Sequence, residues 1–185
     1  PSNFESMQNN LKVQVWNIWH GGHRHGQNVG VERVVEVLKK ENADIIGLIE
    51  TYGSGAIIAD SLGYYFYLIS SNLSIMSRYP IEECINIFRP SRSGGVILNL
   101  GKKRKLAFFV IWLDYRPDIS ELIEGEVIAE NIVERETETR VLEINTILNE
   151  IKSYINNADE IPVIMVGDFN SGSHLDWTDE YKSLH

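Results

Sequence analysis

Asp168 and Asn170 stand two residues apart at the end of an apolar run, Ile161-Pro162-Val163-Ile164-Met165-Val166, with Gly167 leading into them. Along an extended segment that spacing sends the carboxylate and the carboxamide to the same side. An acid and an amide at the mouth of a rigid strand can orient a water and bind an oxyanion. The same residues fit equally well a strand that closes in an Asp-x-Asn turn. The run before them reads as a buried strand, of the kind found inside a sheet.

Other apolar runs also end in polar side chains. Ile45-Ile46-Gly47-Leu48-Ile49 delivers Glu50, Leu11 to Asn17 alternates apolar and polar and ends in Asn17, and Leu106 to Leu113 is followed by Asp114. A carboxylate directly after a buried run is costly unless a cation, hydrogen bonds or solvent meet it. Glu50 could instead simply open the turn Thr51-Tyr52-Gly53-Ser54-Gly55; the second acidic strand end at Asp168 favours the functional reading. If these ends converge on one edge of a sheet sandwich, they form an oxygen-rich pocket. Hard cations such as Mg²⁺ need only one or two carboxylates there, with substrate phosphate and water completing the shell.

The elements that would position these ends follow from periodicity. Val31, Val34, Val35 and Leu38 recur at helical spacing after a glycine- and histidine-rich loop spanning Ile18 to Asn28. A short helix over 56–62 precedes an aromatic strand from Tyr64 to Ile69, and Ser74 to Ile81 reads as one strand ending at Pro80. Val96–Leu100 and Leu106–Leu113 flank Gly101-Lys102-Lys103-Arg104-Lys105 as a hairpin with a basic tip. That tip suits a solvated turn protecting a sheet edge better than a phosphate grip. Residues 119–134 are acidic and weakly periodic, a loop region with a partial helix. A long helix is expected from Glu136 to Asn156, with Val141, Leu142, Ile144, Ile147, Leu148, Ile151 and Ile155 on its inner face.

With 185 residues, 43% of them hydrophobic and 23% charged, the chain suits one globular domain with a substantial core. No apolar run approaches the roughly 20 residues needed to span a bilayer. The single cysteine, Cys84, rules out an internal disulfide framework and a cysteine-only zinc site. A net charge of −9 argues against a broad basic face that coats nucleic acid, but not against a phosphate enzyme whose positive charge comes from a metal. His20, His23 and His25 could converge on zinc, yet no cysteine or fixed helical face supports such a site, and a polar or substrate-contacting loop is preferred. The compartment is left open between cytoplasmic and secreted with a signal peptide already removed.

Four motifs, in order, give the chain a wider resemblance: Trp16-Asn17-Ile18-Trp19, Asp44 to Thr51 with Glu50, Met76-Ser77-Arg78-Tyr79-Pro80-Ile81, and Gly167-Asp168-Phe169-Asn170-Ser171. Together they resemble the endonuclease/exonuclease/phosphatase superfamily, whose fold is like that of deoxyribonuclease I. The resemblance implies an α+β fold, a four-layer αββα sandwich of two mixed β-sheets, and metal-dependent phosphoester hydrolysis by direct water attack. By motif, Glu50 is similar to the acidic metal ligand, and Asn17 to the asparagine that helps build the metal and phosphate site. Asp168 resembles the aspartate that orients or deprotonates the water, and Asn170 the amide that binds the phosphoryl oxygen. The implied cofactor is Mg²⁺ or Mn²⁺. The implied partner is a phosphoester: nucleic acid, phospholipid or a sugar phosphate head group. No protein partner is expected.

Two departures qualify the resemblance. Trp112 stands where many members carry a histidine after a threonine, which leaves Asp114 and Tyr115 as the neighbouring substrate-contacting candidates. The family also continues past this motif with further strands and a late Asp-His pair, whereas this chain reaches His185 only fifteen residues after Asn170. His174 is too near Asn170 to be that histidine and reads as a rim residue that orients substrate. The expectation is therefore one domain over 1–185 that lacks its C-terminal strands and turns over little. The competing expectation is a binding module of the same fold with a degenerate site.

Overall fold

The computed structural model describes residues 10–26, 28–173 and 178. Its strands form two four-stranded sheets. The first contains β1 (Val13–Asn17), β2 (Ile45–Ile49), β3 (Tyr65–Ser70) and β4 (Leu73–Ser77) in the order β1-β2-β4-β3. The second contains β5 (Ile81–Asn86), β6 (Ser93–Gly101), β7 (Arg104–Trp112) and β8 (Val163–Asp168) in sequence order. Both are mixed, because β1 runs parallel to β2 and β8 parallel to β7 while every other pairing is antiparallel.

Alternation decides which side chains fill each layer. Ile45 and Ile49 of β2 turn inward to meet Phe108 and Val110 of β7, together with Ile164 and Val166 of β8. Ile46 and Leu48 turn outward against Val31, Val34 and Leu38 of α1 (Val29–Glu41) and Ile58 of α2 (Gly55–Leu62). On the far side, Phe109 and Ile111 of β7 pack against Ile147 of α5 (Leu142–Glu150), Ile151, and Tyr154 of α6 (Lys152–Asn156). Helix, sheet, sheet, helix is the expected four-layer αββα sandwich. Among the described residues no helix is long and apolar enough to cross a membrane.

Several local expectations differ from what is observed. Ser74 to Ile81 is not one strand: β4 stops at Ser77, and Arg78-Tyr79-Pro80 carries the chain to the other sheet, where β5 begins. Residues 119–134 hold two helices, α3 (Ile119–Glu124) and α4 (Ala129–Glu136). Asp118 caps the first by accepting from Ser120 N at 2.9 Å. A π-helical turn, Thr137–Val141, then joins α4 to α5. Within and after it, Val141, Leu142, Leu148 and Ile155 are exposed rather than inward, and Arg140 is buried instead. The loop from Ile18 to Asn28 contains a kinked 3₁₀ segment, His20–His25. It is clamped to α1 backbone to backbone, since a Cβ on Gly30 would stand 1.5 Å from the Gly22 carbonyl oxygen. The β8 strand is half-buried throughout and lies at the edge of its sheet among the described residues, not inside it.

Candidate active site

Parallel pairing sets the polar strand ends side by side. Asn17 lies opposite Ile49 at the close of β2, and Asp168 lies opposite Trp112 at the close of β7. Asp168 continues the inward series of Ile164 and Val166, so it faces the other sheet at the point where the apolar core ends.

Asn17 joins the two sheets. Its Nδ2 donates to Glu50 Oε1 and to Asp168 Oδ2, each at 2.9 Å. Its Oδ1 accepts from the Trp19 backbone N–H at 3.0 Å, which fixes the amide's orientation. All three polar positions of the amide are therefore committed. The second oxygen of Glu50 accepts from His20 N at 3.1 Å, and its carbonyl accepts from Gly21 N at 2.7 Å. Behind Glu50, the turn is held by buried hydroxyls: Ser54 Oγ donates to the Thr51 carbonyl at 2.7 Å, and Thr51 and Ser74 hydroxyls meet at 3.1 Å.

Asp168 and Asn170 are locked locally. Asn170 N donates to Asp168 Oδ1 at 3.0 Å, and Asn170 Nδ2 donates to the Leu113 carbonyl at 2.8 Å. A carboxamide nitrogen carries two protons, so one N–H of Asn170 is left for another acceptor. Gly167 allows this strand end to approach β7 closely: a Cβ there would lie 2.1 Å from the Ile111 carbonyl oxygen. Five non-glycine residues around the site, Trp19, His20, Glu50, Tyr52 and Asn170, have positive φ, between 38° and 58°. Such backbone costs on the order of 1–3 kcal/mol per residue and persists where surrounding contacts hold it.

The structure thus brings Asn17, Glu50, Asp168 and Asn170 together. Asp114 is tied elsewhere: its carboxylate pairs with Arg92, whose Nε also reaches Glu143 Oε1 at 3.3 Å. Its backbone N–H donates to Glu143 Oε2 at 2.8 Å. The Arg92 guanidinium lies 5.6 Å from the centre of the Trp112 ring, so tryptophan at that position packs under a structural ion pair. Tyr115 is half-exposed and shares a cavity of about 240 Å³ with Asn170, Ser171 and Asp118. His174 lies outside the described residues.

Sequence reasoning missed one supporting residue. Arg140, 2% exposed, donates to the carbonyls of Asp114 and Pro117, each at 2.9 Å, and pairs with Glu136. Glu136 in turn accepts from Ser171 Oγ at 3.3 Å. This places one cation beneath both loops that frame the cavity. Burial pushes the Arg140 guanidinium below its ordinary value, and Asp114, Asp118 and Glu143 pull it back up. The other signal missed was aromatic: Trp19 and Tyr52 follow Asn17 and Glu50 by two residues each, and both rings stand at the rim.

Two donor protons of one amide between two acidic oxygens mark a spot that attracts positive charge. A carboxylate from each sheet is a donor set of the kind that Mg²⁺ or Mn²⁺ accepts when phosphate and water oxygens complete the shell. Asn17, as oriented, serves these acids as a donor and not as a third oxygen ligand.

The same fold recurs in other proteins. The profile of the Endonuclease/Exonuclease/phosphatase family matches residues 15–184. An uncharacterized protein of Caenorhabditis elegans is 26% identical over 192 residues, an alignment covering 97% of this chain and 60% of the nematode protein's length. Among solved structures, a humanized D. rerio TDP2 superposes with a TM-score of 0.65 at 16% identity, covering 90% of this chain and 69% of that one. A D. rerio TDP2 complexed with single strand DNA product gives 0.63 at 17%, covering 90% and 63%. The human Nocturnin catalytic domain gives 0.59 at 15%, covering 93% and 68%. With four ordered motifs, the sandwich and a profile spanning nearly its whole length, this chain belongs to the endonuclease/exonuclease/phosphatase family.

Proposed function

We propose that this chain hydrolyses a phosphoester by direct attack of water, assisted by Mg²⁺ or Mn²⁺. The observation that carries the reading is the Asn17 amide joined at 2.9 Å to Glu50 from one sheet and to Asp168 from the other. A bare structural turn gives no reason for two acids to converge on one amide at the rim of the core.

In this reading Glu50 holds the cation, with Asn17 keeping the two carboxylates in register. When bound, the metal polarises a phosphoryl oxygen and offsets charge on the leaving oxygen. Asp168 accepts the proton of the attacking water. Each of its oxygens already takes one hydrogen bond, and a carboxylate oxygen has a second lone pair for the water. Asn170, oriented by the Leu113 carbonyl, donates its free N–H to a phosphoryl oxygen as negative charge builds there. Tyr115 lines the cavity beyond Asn170, where part of the substrate next to the phosphate would rest. Family membership supports the reaction class, and the neighbour complexed with single strand DNA product supports nucleic acid among the phosphoesters to be tried first.

The test is a panel of phosphomonoesters and phosphodiesters assayed with Mg²⁺ or Mn²⁺, with Glu50→Ala and Asp168→Ala beside the parent chain. Loss of a general base costs on the order of 10²–10⁴ in rate. Hydrolysis unchanged in both variants would remove the assignment.

A further inference from the structure

Beside Glu50 the surface carries a run of planar side chains that the hydrolytic machinery does not use. Arg24 lays its guanidinium 3.9 Å from the centre of the Trp19 ring. Trp19 and His20 follow with ring centres 5.6 Å apart, and His20 and Tyr52 with centres 6.1 Å apart and planes within 22°. Trp19 is 52% exposed and Tyr52 42%, so large ring areas face solvent.

The run is rigidly coupled to the site. Trp19 N donates to Asn17 Oδ1 and His20 N donates to Glu50 Oε2, so the backbone that presents the rings also orients both polar groups. Trp19, His20 and Tyr52 all hold positive φ, which keeps the rings at the rim and out of the core. Folding alone gains nothing from the part of each ring left in water, since only buried apolar area contributes. Arg24 also gives the patch a cation on a chain whose net charge is −9.

We infer that Trp19, His20 and Tyr52, with Arg24, form a stacking platform for a nucleobase adjoining the scissile phosphate, which makes single-stranded nucleic acid the substrate class. This rests on the phosphoester reading above. Lipid chains have no π-face to lay on such rings, a choline or sugar head group meets a ring through its cation or its C–H face rather than plane on plane, and in a duplex the bases are stacked away inside the helix. A single strand presents phosphate and a free base together, and stacking on aromatic side chains with help from arginine is how such strands are held.

The experiment uses fluorescence anisotropy with a labelled pentathymidylate, the same pentamer with abasic sites in place of its bases, and a duplex of the same sequence. Ca²⁺ replaces Mg²⁺ so that the strand stays intact. The parent chain should bind the thymidylate about tenfold more tightly than the abasic strand, as one stacked base implies. It should also prefer the single strand to the duplex. Trp19→Ala should abolish the difference between thymidylate and abasic strands, and Trp19→Phe should keep most of it. Equal affinity for both strands in the parent chain, or binding of neither, overturns the platform without recourse to any variant. So does a preference that Trp19→Ala leaves intact. Equal binding alongside Asp168-dependent hydrolysis removes the platform and keeps the reaction. Base preference alongside hydrolysis indifferent to Glu50→Ala and Asp168→Ala does the reverse.

Discussion

Replacing Asn17 by aspartate tests the link between the two sheets most directly. The change keeps the shape of the side chain and exchanges both donor protons for a third acidic oxygen between Glu50 and Asp168. Each lost bond was charge-assisted at 2.9 Å. Such bonds contribute about 1.5–3 kcal/mol, and the half-buried setting argues for the lower end, so their joint loss amounts to about 3 kcal/mol. Two carboxylates near 3 Å then repel by about 1.4 kcal/mol per pair even at the dielectric constant of water. Asn17→Asp should therefore lose about 6 kcal/mol in chelator, and Asn17→Leu, which forfeits these two bonds and the one from Trp19 N but adds no repulsion, about 4 kcal/mol. Urea unfolding with EDTA measures both. Repeating it in Mg²⁺ should narrow the gap between Asn17→Asp and the parent chain, because a cation that binds only the folded state stabilises it by mass action. If Asn17→Asp unfolds at the same urea concentration as the parent chain in EDTA, the amide does not hold the sheets together, and the reasoning fails.

Arg140→Met should cost about 3–5 kcal/mol in urea unfolding, because it leaves Glu136 and two loop carbonyls without their buried partner; a loss under about 1 kcal/mol would show that water replaces the guanidinium. Gly167→Ala forces a methyl against the Ile111 carbonyl of the neighbouring strand and should cost about 2–3 kcal/mol, with hydrolysis lost as Asp168 is displaced. Unchanged stability there would mean that β8 shifts freely. Burial, then the charge of Glu83, push the Cys84 thiol up, so iodoacetamide should alkylate it more slowly at pH 8 than free cysteine, and Glu83→Gln should speed the reaction. An alkylation rate indifferent to Glu83→Gln would contradict that cause.

The strand ends were readable in the sequence because buried strands announce themselves and a polar group at their close stands out. Ile45–Ile49 and Glu50 needed nothing more. The β5 strand escaped because a register shift between Ile81 and Glu83 breaks the alternation on which strand recognition depends. The helix face was misjudged because apolar residues outnumber its inward positions: Arg140, Ile144, Ile147 and Ile151 keep one helical stripe, and Val141, Leu142, Leu148 and Ile155 lie off it. Asp118 and Glu121, three residues apart, were the overlooked start signal of α3. Asn17, Glu50, Asp168 and Asn170 were legible by type and motif, but their meeting depends on contacts between sheets that no local pattern encodes. Arg140 carried no signal at all, since a buried arginine in an acidic helix reads as a solvated one until its acceptors are known.

The amide bridge also has a consequence for folding. Asn17 and Asp168 are separated by 151 positions, and each sits on a strand joined to its sheet by parallel pairing. Parallel pairing and long loop closure are slow steps compared with hairpins and helices. During synthesis from the N-terminus, the first sheet can assemble while β8 is still unmade, leaving Asn17 and Glu50 exposed beside half a site. Among the described residues, the last strand to emerge is β8, which brings Asp168. Binding at this cleft therefore reports on the topologically last contact of the described fold, and an unfinished or misfolded chain is silent there even when most of its helices and hairpins have formed.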